Sequence, residues 1–509
     1  MDIKINQIAP GKEVQATYVE NSISESRRPI SPEHERYLLE RHGTLALDPL
    51  PSADPEDPLN WPSWKKEIQI FLVAFHAGMN TFTAAGIISA FAPLATKYGV
   101  SIDESAYLVA VQILFLGVFP FFWNPLSNRF GRRPIFLIST LGSLASNTGG
   151  FFCKSYGTQM LSRILVSIFG CPPLGFGSAV VTELFFTHER AQKMGWWTLL
   201  ITLGIPGGPL IMGFVVQHLG IDWVFGIFAI ANAIQFLAYL IFNAETLYDR
   251  SESSPRPQNQ KRNRFRFHRL DPTPLTLGSF FAPLNLITKV KVVIPAVAFA
   301  LVFCYANTAI TVELPKFYGE LFHFNAQQVG LQYISVIIGA AIGEQLSGPM
   351  SDWFVNRYTR RVGHSHPVHR LWIGYIGFIT VFIGIIVWGI ELEKIEKRKR
   401  QYTVVPLVGA AFSNFGSQVI TTTMTTFAVD NYRERSGDVG LFVNVIRQIW
   451  AFLGPFYFPG MYDTLGFAGA SGALCALIFV FGVIPIAVIH YQGREKKTKT
   501  ETTGDSNLA

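Results

Sequence analysis

Long, nearly uninterrupted apolar runs constrain this chain more than any other feature. A helix rises about 1.5 Å per residue, so runs of roughly 19 to 24 residues match the ~30 Å hydrocarbon layer of a bilayer. Such runs lie at about 68–90, 105–124, 133–152, 158–181, 196–217 and 222–242. After a polar gap they resume at about 292–313, 327–348, 369–390, 404–427, 438–460 and 467–490. The expectation is an all-α membrane protein with six transmembrane helices, a linker and six more. Only 15% of residues are charged, against about a quarter in soluble proteins. Lipid as the solvent for most of the surface accounts for that deficit.

The polar segments between and beyond the runs set the expected organisation. Residues 1–60 read as a disordered cytoplasmic tail, 61–242 as one six-helix bundle, 243–291 as a basic linker, 292–492 as a second bundle and 493–509 as a short tail. The linker holds Arg256, Lys261, Arg262, Arg264, Arg266 and Arg269, a cluster that favours the cytoplasmic side. An even number of spans then places both termini inside. The loops with Arg129, Arg132 and Arg133 and with Arg357, Arg360 and Arg361 fall on the same side, as do Lys496, Lys497 and Lys499. The segment Glu391–Arg400 disagrees, because this topology puts it outside.

The net charge of +7 therefore reports membrane topology, not nucleic-acid binding. Cys153, Cys171, Cys304 and Cys475 all sit inside apolar runs, which argues for small apolar fillers and against a disulfide framework. No Cys/His spacing suggests a metal site, and no cofactor is implied. No nucleophile–base set points to an enzyme.

An internal duplication is visible. Residues 124–133 read NPLSNRFGRR and residues 348–357 read GPMSDWFVNR. At one fixed offset Pro125 matches Pro349, Ser127 matches Ser351, Phe130 matches Phe354 and Arg133 matches Arg357, while Asn128 falls opposite Asp352. Each copy follows the second run of its half. Gly208-Pro209 and Gly454-Pro455 form a second echo, in the fifth run of each half. Repeated halves with a substrate site at their interface are a common transporter plan.

The segment Asn124–Pro134 resembles the signature loop of the major facilitator superfamily, G-x-L-[SA]-D-R-x-G-R-[RK]. Ser127, Arg129, Gly131, Arg132 and Arg133 fit; Asn124 and Asn128 replace the usual Gly and Asp. The resemblance implies two pseudo-symmetric six-helix bundles. It also implies a latch in which the missing carboxylate pairs with basic groups, so that the latch here is weakened or moved, and Asp352 carries more of the gating. Arg163 resembles the membrane Arg of the same family. Gly204, Gly208, Pro209 and Gly213 resemble the Gly-Pro signature of its drug:proton antiporter branch. DPEDPLNWP at 54–62, ETLYD at 245–249, and VDNY at 429–432 followed by Asn444 and Arg447 are similar to stretches of fungal twelve-span members.

The resemblance also implies that the first, fourth, seventh and tenth helices line a cavity. His76, Asn80 and Thr83 share one face of the first run, and Cys304, Asn307 and Thr311 one face of the seventh. Asn414, Gln418, Thr421 and Thr425 make a stripe on the tenth. Each stripe faces either a wet path or a neighbouring helix through interhelical hydrogen bonds. Asn444, Arg447 and Gln448 are read as an interdomain contact or as part of the cavity. Proton coupling needs a group that changes charge within the membrane. Glu344, His76 and Glu313 are the candidates, with Glu183 at a cytoplasmic edge.

The function expected is proton-coupled efflux of small amphipathic organic compounds by a monomer in the plasma membrane. The alternatives are an uptake symporter for an organic cation such as a polyamine, or a nutrient sensor that does not transport.

Overall fold

The computed structural model describes residues 31–248, 250, 276–362, 367–398 and 401–492. The linker arginines singled out above and the tail lysines lie outside the described residues, as does the Arg361 side chain. Among the described residues every regular element is helical. In the first half these are α1 (Pro32–His42), α2 (Ser63–Ala85), α3 (Phe91–Tyr98), α4 (Ile102–Val118), α5 (Pro120–Phe130), α6 (Arg132–Phe151), α7 (Tyr156–Gly170), α8 (Pro172–Leu184), α9 (Thr187–Leu219) and α10 (Ile221–Phe242). The second half has α11 (Leu277–Phe281), α12 (Val290–Val302), α13 (Ala309–Phe322), α14 (Ala326–Val362), α15 (Leu371–Arg398), α16 (Val405–Asn431) and α17 (Ser436–Ile478). A π-helical turn, Phe303–Thr308, joins α12 to α13.

The outer wall is apolar. Phe71, Ile234, Ile379 and Phe481 are each more than half exposed, while Ser139, Thr140, Asn147, Arg163 and Asn414 are buried. A soluble protein does not present this distribution; a chain solvated by lipid does. Among the described residues eight helical segments are long and apolar enough to cross a membrane, and nine if the bent pair 102–118 and 120–130 is one span. The longest, Arg433–Gln492, has 60 residues. It reverses at Gly466, whose φ of 68° lies in the left-handed region, so it holds two arms. Helices α6 and α16 are long enough but too polar for the same criterion. Their Ser, Thr and Asn side chains turn inward and bond to carbonyls of their own helix, as Thr140 does to Phe136 O and Asn431 to Phe427 O. Twelve crossings are reached only when α6, α16 and both arms of α17 are counted.

Two expectations are corrected. Residues 31–60 are not a disordered tail. Ser31 caps α1, and the segment then folds onto the end of the bundle that carries the 131 loop. Asp57 is fully buried, bonded to Arg250 at 2.9 and 3.1 Å and to the amides of Ser52 and Leu59. Arg41 donates to Asn60 O, Lys66 to Leu59 O, and Tyr248 to Asp54. A few buried anchors outweigh a polar composition that otherwise argues for disorder. Nor is Glu391–Arg398 a loop, because α15 runs through it. Its alternating charges are helix pairs, Glu391 with Lys394 and Glu393 with Lys397. Glu393 also accepts from Ala468 N at 2.7 Å, capping the second arm of α17.

Burial alone would raise the Asp57 pKa. Its bonds to Arg250, Ser52 and Leu59 more than offset this and hold it below the ordinary carboxylate range. A depressed folded pKa contributes stability that is present above the unfolded value, about 4, and is lost as pH falls through the folded one. Asp57→Ala should cost about 3 kcal/mol, as for breaking a buried pair. In thermal melts of purified protein, the gap to wild type should be widest near neutral pH and close on acidification.

Candidate functional site

The signature loop is held by one arginine. Arg132, the first residue of α6, is 4% exposed. Its Nη1 donates to Ser127 Oγ and to Asn128 Oδ1 (2.8 Å), and its Nε and Nη2 donate to Glu183 Oε1 at 3.1 and 2.8 Å. Glu183 closes α8 and also accepts from Thr246 at 2.6 Å. Glu245 caps α6, accepting from the amides of Arg132 and Arg133 at 2.8 and 3.1 Å. Gly131 must be glycine twice over: its φ is 93°, and a Cβ there would collide with the Glu245 carboxylate. Arg129 lies over the Phe130 ring.

The second copy repeats this wiring. Arg370, immediately before α15, donates to Ser351 Oγ, Asp352 Oδ1 and Asp430 Oδ2, each at 2.9 Å. Asp430 lies at the end of α16, the counterpart of α8. The two nodes differ at the position the duplication singled out. Asn128 is neutral where Asp352 is charged, so Arg132 draws its ion pair from Glu183 alone, while Arg370 faces two carboxylates. Arg357, matched by sequence to Arg133, lies over the Trp353 ring instead. The reading above placed neither Arg370 nor Asp430 at the node. The signal was present: VDNY contains Asp430, and the repeat marks Ser351 and Asp352.

The Gly-Pro segment of α9 has two faces. A Cβ at Gly204 would strike Thr81 Oγ1, and one at Gly208 would lie 2.7 Å from Phe82 O and 2.8 Å from Gly86 N. These two positions let α9 lie against the first span. Gly213 faces the other half, where a Cβ would lie 2.5 Å from Ala326 O of α14. The echo holds in space too: a Cβ at Gly454 in α17 would meet Phe458 and, at 3.3 Å, Cys304 Sγ.

The expected cavity stripes are used largely as staples within each half. Asn80 donates to His76 O, and Arg163 donates to Thr83 O, tying the first span to α7. Asn307 donates to Asn414 Oδ1 at 2.6 Å, tying the seventh span to α16. Thr311 offers its carbonyl to Tyr333. Thr421 bonds to Ser417 O, and Gln418 packs on Gly343 of α14. Arg163 is fully buried among Phe225 and Phe228, and does not snorkel.

The candidates for proton coupling separate. His76 turns into the first half, where its ring nitrogens meet Tyr239 OH (3.2 Å) and Ser139 Oγ (3.4 Å). Glu183 is held by Arg132. Glu344 of α14 accepts across the seam from Thr202 of α9 at 3.4 Å. Glu313 of α13 is 3% exposed and lies close to Lys316, which pairs with Asp103 of α4 at 3.1 Å and so joins the two halves. The same seam stacks Tyr107 on Phe456, ring centres 4.5 Å apart.

Two like-wired helical halves, apolar outside and joined along a seam that few polar contacts cross, define a polytopic membrane transporter. The chain matches the Major Facilitator Superfamily over residues 70–455 and belongs to that family. It is 24% identical over 452 residues to an MFS-type transporter, hepF, of Aspergillus oryzae, covering 86% of this chain and 91% of that one. It is 25% identical over 466 residues to an efflux pump, vrtL, of Penicillium aethiopicum, covering 89% and 90%. Its fold resembles that of a bacterial homologue of the human lysosomal transporter Spinster, solved inward-facing and unoccupied (TM-score 0.59, 15% identity, covering 85% of this chain and 98% of that one). It also resembles the human organic anion transporter MFSD10 (TM-score 0.56, 16% identity, covering 84% and 99%).

Gly208→Leu forces α9 off the first span. It should abolish transport while protein at the membrane stays near the wild-type level, checked by surface immunoblot beside flux. Asn128→Asp gives the first node the charge of the second. The bond from Arg132 is already charge-assisted; a carboxylate there adds a second ion pair in an enclosed site. The node should therefore grip more tightly and turnover should slow, measured as initial flux at saturating substrate.

Proposed function

We propose that this transporter works by alternating access as a proton-driven exporter of small amphipathic organic compounds, in the plasma membrane with both termini cytoplasmic. Two bundles, residues 61–242 and 292–492, rock about the seam between them. The observation that carries the reading is the pair of matched nodes at one end of the molecule, with an ion pair joining the halves at the other. Arg132 with Ser127, Asn128 and Glu183, and Arg370 with Ser351, Asp352 and Asp430, brace the loop of each half. Efflux pumps among the fungal relatives support the direction.

Glu313 is the residue we assign to the proton. It is buried beside the Lys316–Asp103 pair, with Asp463 and Glu320 nearby. Ionised, it competes for Lys316; neutral, it leaves Lys316 to Asp103. Its charge is thereby linked to the bond that closes that end of the seam. Glu344, already bonded to Thr202, is the second choice, and His76, whose two ring nitrogens both meet partners within the first half, is the least suited.

The test is accumulation of a fluorescent compound panel in inside-out vesicles under an imposed pH gradient. Uptake should collapse on adding a protonophore; accumulation indifferent to the gradient would remove the coupling. Glu313→Gln should lose gradient-driven uptake and keep exchange of substrate for substrate, whereas Glu344→Gln should keep both. The reverse result moves the proton to Glu344.

A further inference from the structure

Arg447 of α17 is a half-buried cation without a counter-ion among the described residues. Its Nη2 donates to Asn444 Oδ1 at 2.7 Å, and its Nε is enclosed with no acceptor. The guanidinium stands 4.5 Å from the Phe303 ring and 5.6 Å from Phe299. A guanidinium has five N–H donors, and one is used here. A charge left so in a membrane protein is costly and usually functional.

The direction in which it points decides what it can reach. Ile449 and Leu453 are exposed, lipid-facing residues of this stretch. At about 100° per residue, Arg447 lies about 160° round the helix from Ile449, on the opposite side. Yet it is only half-buried, so its accessible part opens on the interior of the molecule. The next residue, Gln448, packs on Gly117 of α4, which puts Arg447 beside the seam between the halves. Phe303 begins the π-helical turn, a distortion often found at functional sites. Arg163 is the useful contrast: it is also unpaired, but it is sealed at 0% exposure and bonded to a carbonyl.

We infer that Arg447 and Asn444, flanked by the rings of Phe299 and Phe303, form a recognition subsite for an anionic group. The substrate class is then an amphipathic organic anion, a carboxylate on an aromatic or aliphatic body. The ring faces that would attract a cationic compound are already occupied by the protein's own cation, and a second positive charge beside it is repelled. A carboxylate gains charge-assisted bonds, and its apolar body gains the aromatic wall. The subsite stands on geometry alone; calling its ligand a substrate rests on the transport reading.

The experiment measures melting-temperature shifts of the purified full-length protein with four probes: 2-naphthoate, 2-naphthamide, 2-naphthylmethylammonium and inorganic phosphate. Naphthoate should stabilise the wild type, the shift growing as the logarithm of one plus the ratio of free ligand concentration to Kd. The other three should be at least ~10-fold weaker: the amide and the ammonium lack the carboxylate's charge-assisted contact, and phosphate lacks the apolar body that meets the aromatic wall. Arg447→Gln should remove the preference for the anion, and Arg447→Lys should restore part of it. No shift with millimolar naphthoate, or a stronger shift with the ammonium probe, overturns the subsite. An equal shift with phosphate overturns the organic class. These comparisons within the wild type do not depend on any variant folding. Counterflow in proteoliposomes separates the two readings. Naphthoate binding without counterflow removes transport and leaves the subsite. Counterflow of the ammonium probe alone leaves transport and removes the subsite.

Discussion

Lipid on the outer wall forces the rest of this structure. No water reaches the lipid-facing side of a span at mid-membrane, so polar side chains turn away from it toward partners inside the protein. Asn431 and Thr140 turn to carbonyls of their own helices. Asn307 and Asn414 find each other, and Arg163 finds Thr83. These bonds hold each half together. The seam is left with few polar contacts, among them Thr202–Glu344 and Lys316–Asp103. A boundary so lightly bonded can be exchanged for another at small cost, as alternating access requires.

The fold was largely legible because hydropathy is read by the same solvent that imposes it. Residues 223–242 and 371–390 are apolar for most of their length, and each is helical in the structure. The family followed from Ser127, Arg129, Gly131, Arg132 and Arg133. The site was legible in part. Fixed spacing gives a residue's angle round its own helix, but not which neighbour that face meets. His76 was therefore grouped with a cavity, when its face meets Tyr239 and Ser139 in the same half. Arg370 and Asp430 were missed at the node because they are distant in sequence from Asp352. The docking of residues 31–60 depends on contacts as remote as Asp57 with Arg250, which local composition cannot report.

The two nodes give the pseudo-symmetry its functional content. Each arginine starts the third span of its half and grips the second span through a serine and the fourth through a carboxylate. Were the nodes identical, neither half would differ in how firmly its loop is braced. Asn128 breaks that equality. Its partner Arg132 is nevertheless the better buried of the two, 5% against 18% side-chain exposure, and screening weakens the more exposed pairs. The first node relies on enclosure and the second on charge.

That trade bears on how firmly the loop of each half is held. The Arg370–Asp352 pair leaves Asp352 largely open to solvent, 65% exposed, and a pair so exposed contributes little net stability. Arg132 and Glu183 are both nearly enclosed, and separating an enclosed pair leaves two unsatisfied charges, which is far more costly. The second node thus combines one exposed pair with one largely enclosed pair, Arg370–Asp430 at 18% and 17% exposure. At the first node the carboxylate missing at Asn128 is made up by Glu183, an enclosed partner from the fourth span, whereas the Asp352 bond of the second node stands open to solvent.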